Sequence, residues 1–254
     1  MKFKKILWGT IFIIAVIVCI ICGYQLISYF LSNGGDTDRY IETTTPDASQ
    51  LQAATVENHN INWNKMKEDN PDIYSWIYIP NTNVDYPVVQ SSKNQPDDFY
   101  LDHNIKKQWE FAGAIYTERH NTKDYSDPVT VLYGHNMNNG SMFHTLHKFE
   151  DSKFFKKNKY IYIYLPGHRL TYKIYSAYVY DDRHILNSFD FSDKKILKKY
   201  LEYTANPESL AKNTRKADLD LNSKIITLST CTNGAENTRY LVQGVLIKDE
   251  QTNQ

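Results

Sequence analysis

The chain has 254 residues, 29 basic and 29 acidic side chains and a formal net charge of zero. Without a basic stripe to follow a phosphate backbone, no nucleic-acid partner is expected. Three cysteines in a chain of this length exclude a disulfide-stapled scaffold.

Lys2, Lys4 and Lys5 precede a nearly uninterrupted apolar run from Ile6 to about Leu31. A bilayer needs roughly 20 apolar residues, which this run supplies. A cleaved signal peptide is the competing reading. Its apolar core is usually only about 7–15 residues, and no small-x-small cleavage pattern follows the run. Residues 1–31 therefore read as cytoplasmic lysines and an uncleaved transmembrane signal anchor, with the rest of the chain outside the cell membrane. Cys19 and Cys22 fall inside the run as small hydrophobes. Residues 32–60 are polar, with Asn-Gly-Gly-Asp and Thr-Thr-Thr-Pro-Asp, and read as a flexible extracellular linker.

From residue 61 to 254 the composition is that of one folded domain with a sizeable core. Asn62 to Glu68 predicts a short helix stopped at Asn70-Pro71. Strand-like runs rich in aromatic and β-branched residues follow: Ile73–Ile79, Val84–Val89, Ala112–Tyr116, Val129–Tyr133, Tyr160–Leu165, Leu170–Tyr180, Ile225–Thr230 and Tyr240–Ile247. Pro166-Gly167-His168 predicts a hairpin. Ser192 to Tyr203 carries Ile196, Leu197, Tyr200 and Leu201 at helical spacing, with Ser192 as its cap. The fold class is mainly β, a barrel or sandwich with helical insertions. The twenty tyrosines read as amphipathic residues of half-buried strands.

Cys231 is the one cysteine outside the apolar run, and it ends the strand-like run Lys224-Ile-Ile-Thr-Leu-Ser-Thr-Cys231. A thiol attacks a carbonyl well only as thiolate, so it needs a base or cation nearby. His135, after Tyr133-Gly134 at the end of another strand, is placed to be that base. Arg239, eight residues after Cys231, can hold a carbonyl oxygen as negative charge develops. Such a trio carries out acyl transfer without a metal or organic cofactor. His144-Thr-Leu-His147 lacks a third ligand and is no zinc site. Asp181-Asp-Arg-His184 reads as a solvated turn, and the lysines of Lys153 to Lys159 and Lys194 to Lys199 as solvated faces.

Tyr133-Gly-His135, Thr227-Leu-Ser-Thr-Cys231 and the following arginine resemble the sortase family. Asp72-Ile-Tyr-Ser-Trp-Ile-Tyr-Ile-Pro80, Asp85-Tyr-Pro-Val-Val-Gln90 with Phe99-Tyr-Leu101, and Leu132-Tyr-Gly-His-Asn-Met137 with Gly140-Ser-Met-Phe143 resemble its class B. The resemblance spans about Ile61 to Lys248. It implies a closed eight-stranded β-barrel with N-terminal and inserted helices, and makes 61–254 a sortase catalytic domain. It further implies a membrane-anchored cysteine transpeptidase that cleaves a C-terminal sorting signal after Thr and joins the secreted protein to a peptidoglycan precursor amine in a Gram-positive cell wall. Cys231 is then the nucleophile, His135 the general acid and base, and Arg239 the oxyanion or substrate-positioning group. Thr230, Ser229 and Tyr133 would line the substrate cleft. The loop Thr232–Thr238 is shorter than the class B pattern, which bears on substrate preference. A cysteine endopeptidase that mainly hydrolyses, a pilus-assembly sortase and an anchored binding domain with a buried Cys231 are the alternatives.

Overall fold

The computed structural model describes residues 2–31, 59–234 and 237–252; in the first of these, side chains are described for residues 10–25 and 27. Most of the expected linker, residues 32–58, and Ala235 and Glu236 of the Thr232–Thr238 loop lie outside the described residues. Residues Lys2–Leu31 form one helix, α1. Its described side chains include well-exposed Phe12, Ile14, Ile20 and Ile27. Among the described residues, no helix is long and apolar enough to cross a membrane.

Helix α2 (Trp63–Asp69) starts where Asn62 Oδ1 accepts the Lys65 amide at 2.9 Å. Strands β1 (Ile73–Tyr78) and β2 (Asp85–Gln90) follow as an antiparallel pair. Strand β3 (Ile115–Thr117) is shorter than the expected Ala112–Tyr116. The preceding residues turn away from the sheet because the Ala114 amide donates to the Tyr100 carbonyl at 2.9 Å. After β4 (Val129–Tyr133) come a 3₁₀ segment (His144–Glu150), a short helix α3 (Ser152–Lys157), and the hairpin β5 (Tyr160–Leu165) and β6 (His168–Asp181). Gly167 at φ +80° makes the tight turn of that hairpin. Helices α4 (Ile185–Ser188) and α5 (Lys194–Ala205) and a three-residue strand β7 (Lys212–Thr214) precede β8 (Ile225–Cys231) and β9 (Thr238–Gln251).

The sheet order is β5-β1-β2-β3-β4-β8-β9-β6-β7, and β5 also pairs with β6. Eight strands therefore close into a barrel. The edge of β6 that serves β5 in its first half carries β7 on Ser176–Tyr178. Two contacts in the ring are parallel, β2 with β3 and β4 with β8.

Strand residues alternate between the barrel interior and an outer layer, as the period-2 geometry of a strand requires. Ile77, Leu132, Ile226 and Leu228 point into the main core, whereas their neighbours Trp76, Tyr78, Val131 and Ile225 pack outside it. Leu197, Tyr200 and Leu201 of α5 bury against that outer layer. Burial on both faces is why these strands read as continuous apolar runs. The tyrosines go deeper than half-buried strands imply. Tyr125, Tyr172, Tyr175 and Tyr178 are no more than 1% exposed. Their hydroxyls are affordable inside because partners are built in: Tyr125 shares a 2.7 Å hydrogen bond with Ser75, and Tyr175 donates to Thr204 at 2.9 Å. The α5 cap is Asp193, whose carboxylate accepts the Lys195 amide at 2.7 Å. Ser192 is taken up by Asp190 at 2.6 Å and does not cap.

Gly113 sits at φ +59°, and a Cβ there would lie 2.4 Å from the Leu101 carbonyl oxygen and 2.5 Å from that of Tyr100. Backbone, not a movable side chain, fills the space. Gly113→Ala is expected to destabilise the fold by more than the ~1–2 kcal/mol of the left-handed conformation alone. A urea midpoint equal to that of the unaltered chain would contradict this.

Candidate active site

Three adjacent strands bring the six expected site residues to one rim of the barrel. In the parallel β4–β8 pair, Tyr133 stands opposite Ser229. The Gly134 amide donates to the Ser229 carbonyl at 3.2 Å, the last contact of β4 with β8 before the chain turns out at His135. A Cβ on Gly134 would lie 2.5 Å from Ile115 Cδ1 and 2.8 Å from the Phe143 ring, so only glycine lets the chain pass here without displacing them. In the antiparallel β8–β9 pair, Cys231 is directly opposite Arg239 and Thr230 opposite Tyr240. Tyr133, His135, Ser229, Thr230, Cys231 and Arg239 all line a single cleft of about 270 Å³.

The Cys231 thiol is free and its residue exposed. The binding-domain alternative needed a buried cysteine, and the structure does not provide one. Arg239 is half-buried; its Nη1 donates to the Thr238 carbonyl at 3.1 Å, and no carboxylate among the described residues pairs with it. Arg239 lines the cleft beside Cys231. Thr230 and Ser229 are buried, and the Thr230 and Tyr133 hydroxyls have no hydrogen-bond partner among the described residues. A buried polar group left so costs roughly 1–3 kcal/mol unless a ligand completes it. Burial pushes the Tyr133 phenol far above its ordinary value, so it stays protonated and can donate.

His135 is fixed by its neighbours. Its Nε2 lies 2.8 Å from the Leu101 carbonyl oxygen, which only accepts, so Nε2 carries the proton and Nδ1 is the free nitrogen of the neutral ring. The Phe111 ring stacks on it at 5.4 Å and 29°. No carboxylate among the described residues hydrogen-bonds to His135; a backbone carbonyl orients the imidazole in place of a triad acid. Burial holds His135 below its ordinary value of 6.5, against the pull of the Leu101 carbonyl and the Asp102 charge, and the nearby Arg239 cation adds to the lowering.

The sign of the pH effect follows. A folded-state value below the unfolded one means that the unfolded chain binds the proton more readily. The stability that this site contributes is fully present above pH ~6.5 and is lost as pH falls through the lowered folded value. Thermal unfolding of the unaltered chain should therefore weaken more between pH 7 and pH 5 than that of His135→Gln. Parallel pH profiles would contradict the assignment.

Other residues reach the site without having been legible as part of it. Arg183 and Asp181 pair at 2.7 Å with both side chains about half exposed, as a solvated turn implies. His184, however, folds back into the cleft wall, where its Nε2 lies 2.7 Å from the carboxylate of the buried Glu118. The turn is therefore solvated on one side and structural on the other, because Glu118 at the end of β3 needs a partner once buried. His144 and His147 are both part-buried. They join a polar network at the end of β8, with His147 Nε2 at 3.0 Å from the Cys231 carbonyl. Among the described residues there is no group of three or more His, Cys, Asp or Glu placed to hold a metal.

Comparison with known proteins places these features in company. A family model described as Sortase domain matches residues 77–247. The chain is 28% identical over 261 residues to Sortase B of Listeria monocytogenes, covering 97% of this chain and 99% of that protein. Among solved structures, Clostridium perfringens sortase B is 36% identical, with a TM-score of 0.65 over 73% of this chain and 99% of that one. A Staphylococcus aureus sortase B–substrate complex is 25% identical, with a TM-score of 0.63 over 73% of this chain and 84% of that one.

Proposed function

This chain belongs to the sortase family, is a cysteine transpeptidase of the class B type, and from that premise we propose how its site works and on what. The substrate is a secreted protein bearing a C-terminal sorting signal, cleaved after a threonine. The acceptor is an amine of a peptidoglycan precursor. The one observation that carries this reading is the direct pairing of Cys231 with Arg239 across β8 and β9, in a cleft whose other wall presents His135.

The free Nδ1 of His135 takes the Cys231 thiol proton, the thiolate attacks the threonine carbonyl, and the oxygen that gains charge is held by the Arg239 guanidinium. The C–N bond breaks as protonated His135 gives its proton to the departing amine, leaving a thioester on Cys231. The acceptor amine then attacks the thioester and passes a proton to His135, and the new amide leaves as the thiolate is regenerated. Thr230, Ser229 and Tyr133 contact the peptide, with the unpartnered Thr230 and Tyr133 hydroxyls bonding its backbone.

We place the chain at the cell membrane through its N-terminal helix, with the lysines of Met1 to Lys5 in the cytoplasm and the barrel outside. The apolar run Ile6–Leu31 of the sequence, which extends beyond the described side chains 10–25 and 27 that by themselves are too short to span, supports this.

The test is to incubate the full-length chain with a panel of quenched fluorescent sorting-signal peptides, with and without an added amine, and to identify products by mass. A ligated product that rises with amine concentration supports transpeptidation to an amine acceptor. Cleavage with no ligation at any amine concentration favours the endopeptidase alternative.

A further inference from the structure

The Cys231 carbonyl is the meeting point of a second set of side chains, Asn136, His144 and His147, none of which lines the cleft. Asn136, the residue after His135, donates from Nδ2 to the Cys231 carbonyl at 3.0 Å and to Asn233 Oδ1 at 2.7 Å. These two acceptors use both amide hydrogens. The amide cannot be turned over, because its Oδ1 accepts from His144 Nδ1 at 2.7 Å, and the reverse orientation would set oxygen against oxygen at Cys231 and Asn233. His147 backs the same carbonyl: Nδ1 faces the Glu150 carboxylate and Nε2 lies 3.0 Å from the Cys231 oxygen, both acceptors only, so each ring nitrogen carries a proton, and the 3.2 Å approach of Nε2 to Asn136 Nδ2 is a contact of two donors. His147 is held from its other side by Glu150, at 2.6 Å from Nδ1, and by the Tyr240 ring stacked at 4.9 Å and 24°. Tyr240 in turn sits opposite Thr230 in the β8–β9 ladder.

Cys231 is the last residue of β8, where its carbonyl has run out of regular strand partners. Paired with Arg239 on one side only, this strand end is free to twist, and the seating of the Cys231 peptide unit sets where its Cα, and with it the thiol, lies. Asn136 removes that freedom and ties it to the segment that carries His135, across 95 residues of sequence. The Leu101 carbonyl and the Phe111 ring fix the imidazole separately, so each reacting group has its own support.

We propose that Asn136, seated by His144 and backed by the Glu150–His147 pair, is a positioning residue that clamps the nucleophile's own carbonyl and so sets the thiol within reach of His135. The inference rests on the transpeptidase reading of the cleft. Asn136 touches no substrate; it acts through the backbone of Cys231.

The test compares four variants of the full-length chain: Asn136→Ala, Asn136→Asp, His147→Gln and His147→Ala. Asn136→Asp is the sharp one, because it keeps the shape and replaces both donors with acceptors. Misplacing reacting groups by about 1 Å costs roughly 10²-fold in rate. The expected result is a fall of that order in kcat for thioester formation in both Asn136 variants, with KM unchanged. His147→Gln, which retains a side-chain donor, should keep most of the rate that His147→Ala loses. Wild-type kcat in Asn136→Asp overturns the proposal. If the Asn136 variants do not fold, the His147 pair decides, and equal losses in Gln and Ala overturn it. If the unaltered chain processes no peptide, the functional reading falls instead. The clamp is then read from alkylation of Cys231 by iodoacetamide: slower labelling in His147→Ala than in His147→Gln upholds it, and equal rates overturn it.

Discussion

Cys231→Ala abolishes cleavage of every sorting-signal peptide while leaving the barrel intact. The thiol is exposed at the end of β8 and takes no part in the core, so the unfolding free energy should change by no more than about 0.5 kcal/mol. His135→Ala belongs to the same expectation on a smaller scale. Losing a positioned general acid and base costs about 10²–10⁴ in rate. The Cys231 variant removes the thiol of the cleft, whereas the His135 variant leaves a thiol that water can deprotonate slowly. Steady-state cleavage beside a thermal melt for each variant checks both halves. Residual turnover in Cys231→Ala would remove the thiol from the mechanism.

The second large effect is expected at Arg239. Its register opposite Cys231 is enforced by seven consecutive pairs of the β8–β9 ladder, from Ile225↔Val245 to Cys231↔Arg239. Removing one oxyanion donor typically costs on the order of 10²–10³ in kcat, and Arg239→Ala should fall in that range. Arg239→Lys restores the charge without the planar fork and should recover only part of the loss. The drop should lie in kcat more than in KM if the guanidinium meets charge that develops in the transition state. Near-normal kcat in Arg239→Ala would leave Arg239 with no role at the reacting carbonyl.

The strands that carry the site were legible because their chemistry leaves a trace along the chain. Val129–Tyr133 and Ile225–Cys231 are buried on both faces and read as apolar runs, and a thiol or imidazole at the end of such a run stands out. The sequence placed Arg239 at the start of the next strand, but its opposition to Cys231 is set by the β8–β9 register, which eight residues of spacing do not fix. Strand β7 was invisible, since Lys212-Asn-Thr214 has no apolar residue and owes its place to the free edge of β6. The short helices α3 and α4 lack the length for a period to show. The Glu118–His184 pair and the Asn136 clamp were hidden for a different reason. They join polar residues 66 and 95 positions apart, and a polar side chain carries no periodic mark of the partner it will find. His147 gave only the weak signal of a second histidine three residues after His144. What makes it part of the site is the fold of the 3₁₀ segment against the end of β8.

The most direct measurement is the intact mass of the full-length chain after brief exposure to a sorting-signal peptide, followed by peptide mapping. A covalent adduct equal to the peptide up to its threonine, on Cys231 alone, lost on adding an amine and recovered as ligated product, is the expected result. A folded, alkylation-competent Cys231 that forms no adduct with any peptide in the panel would contradict the account.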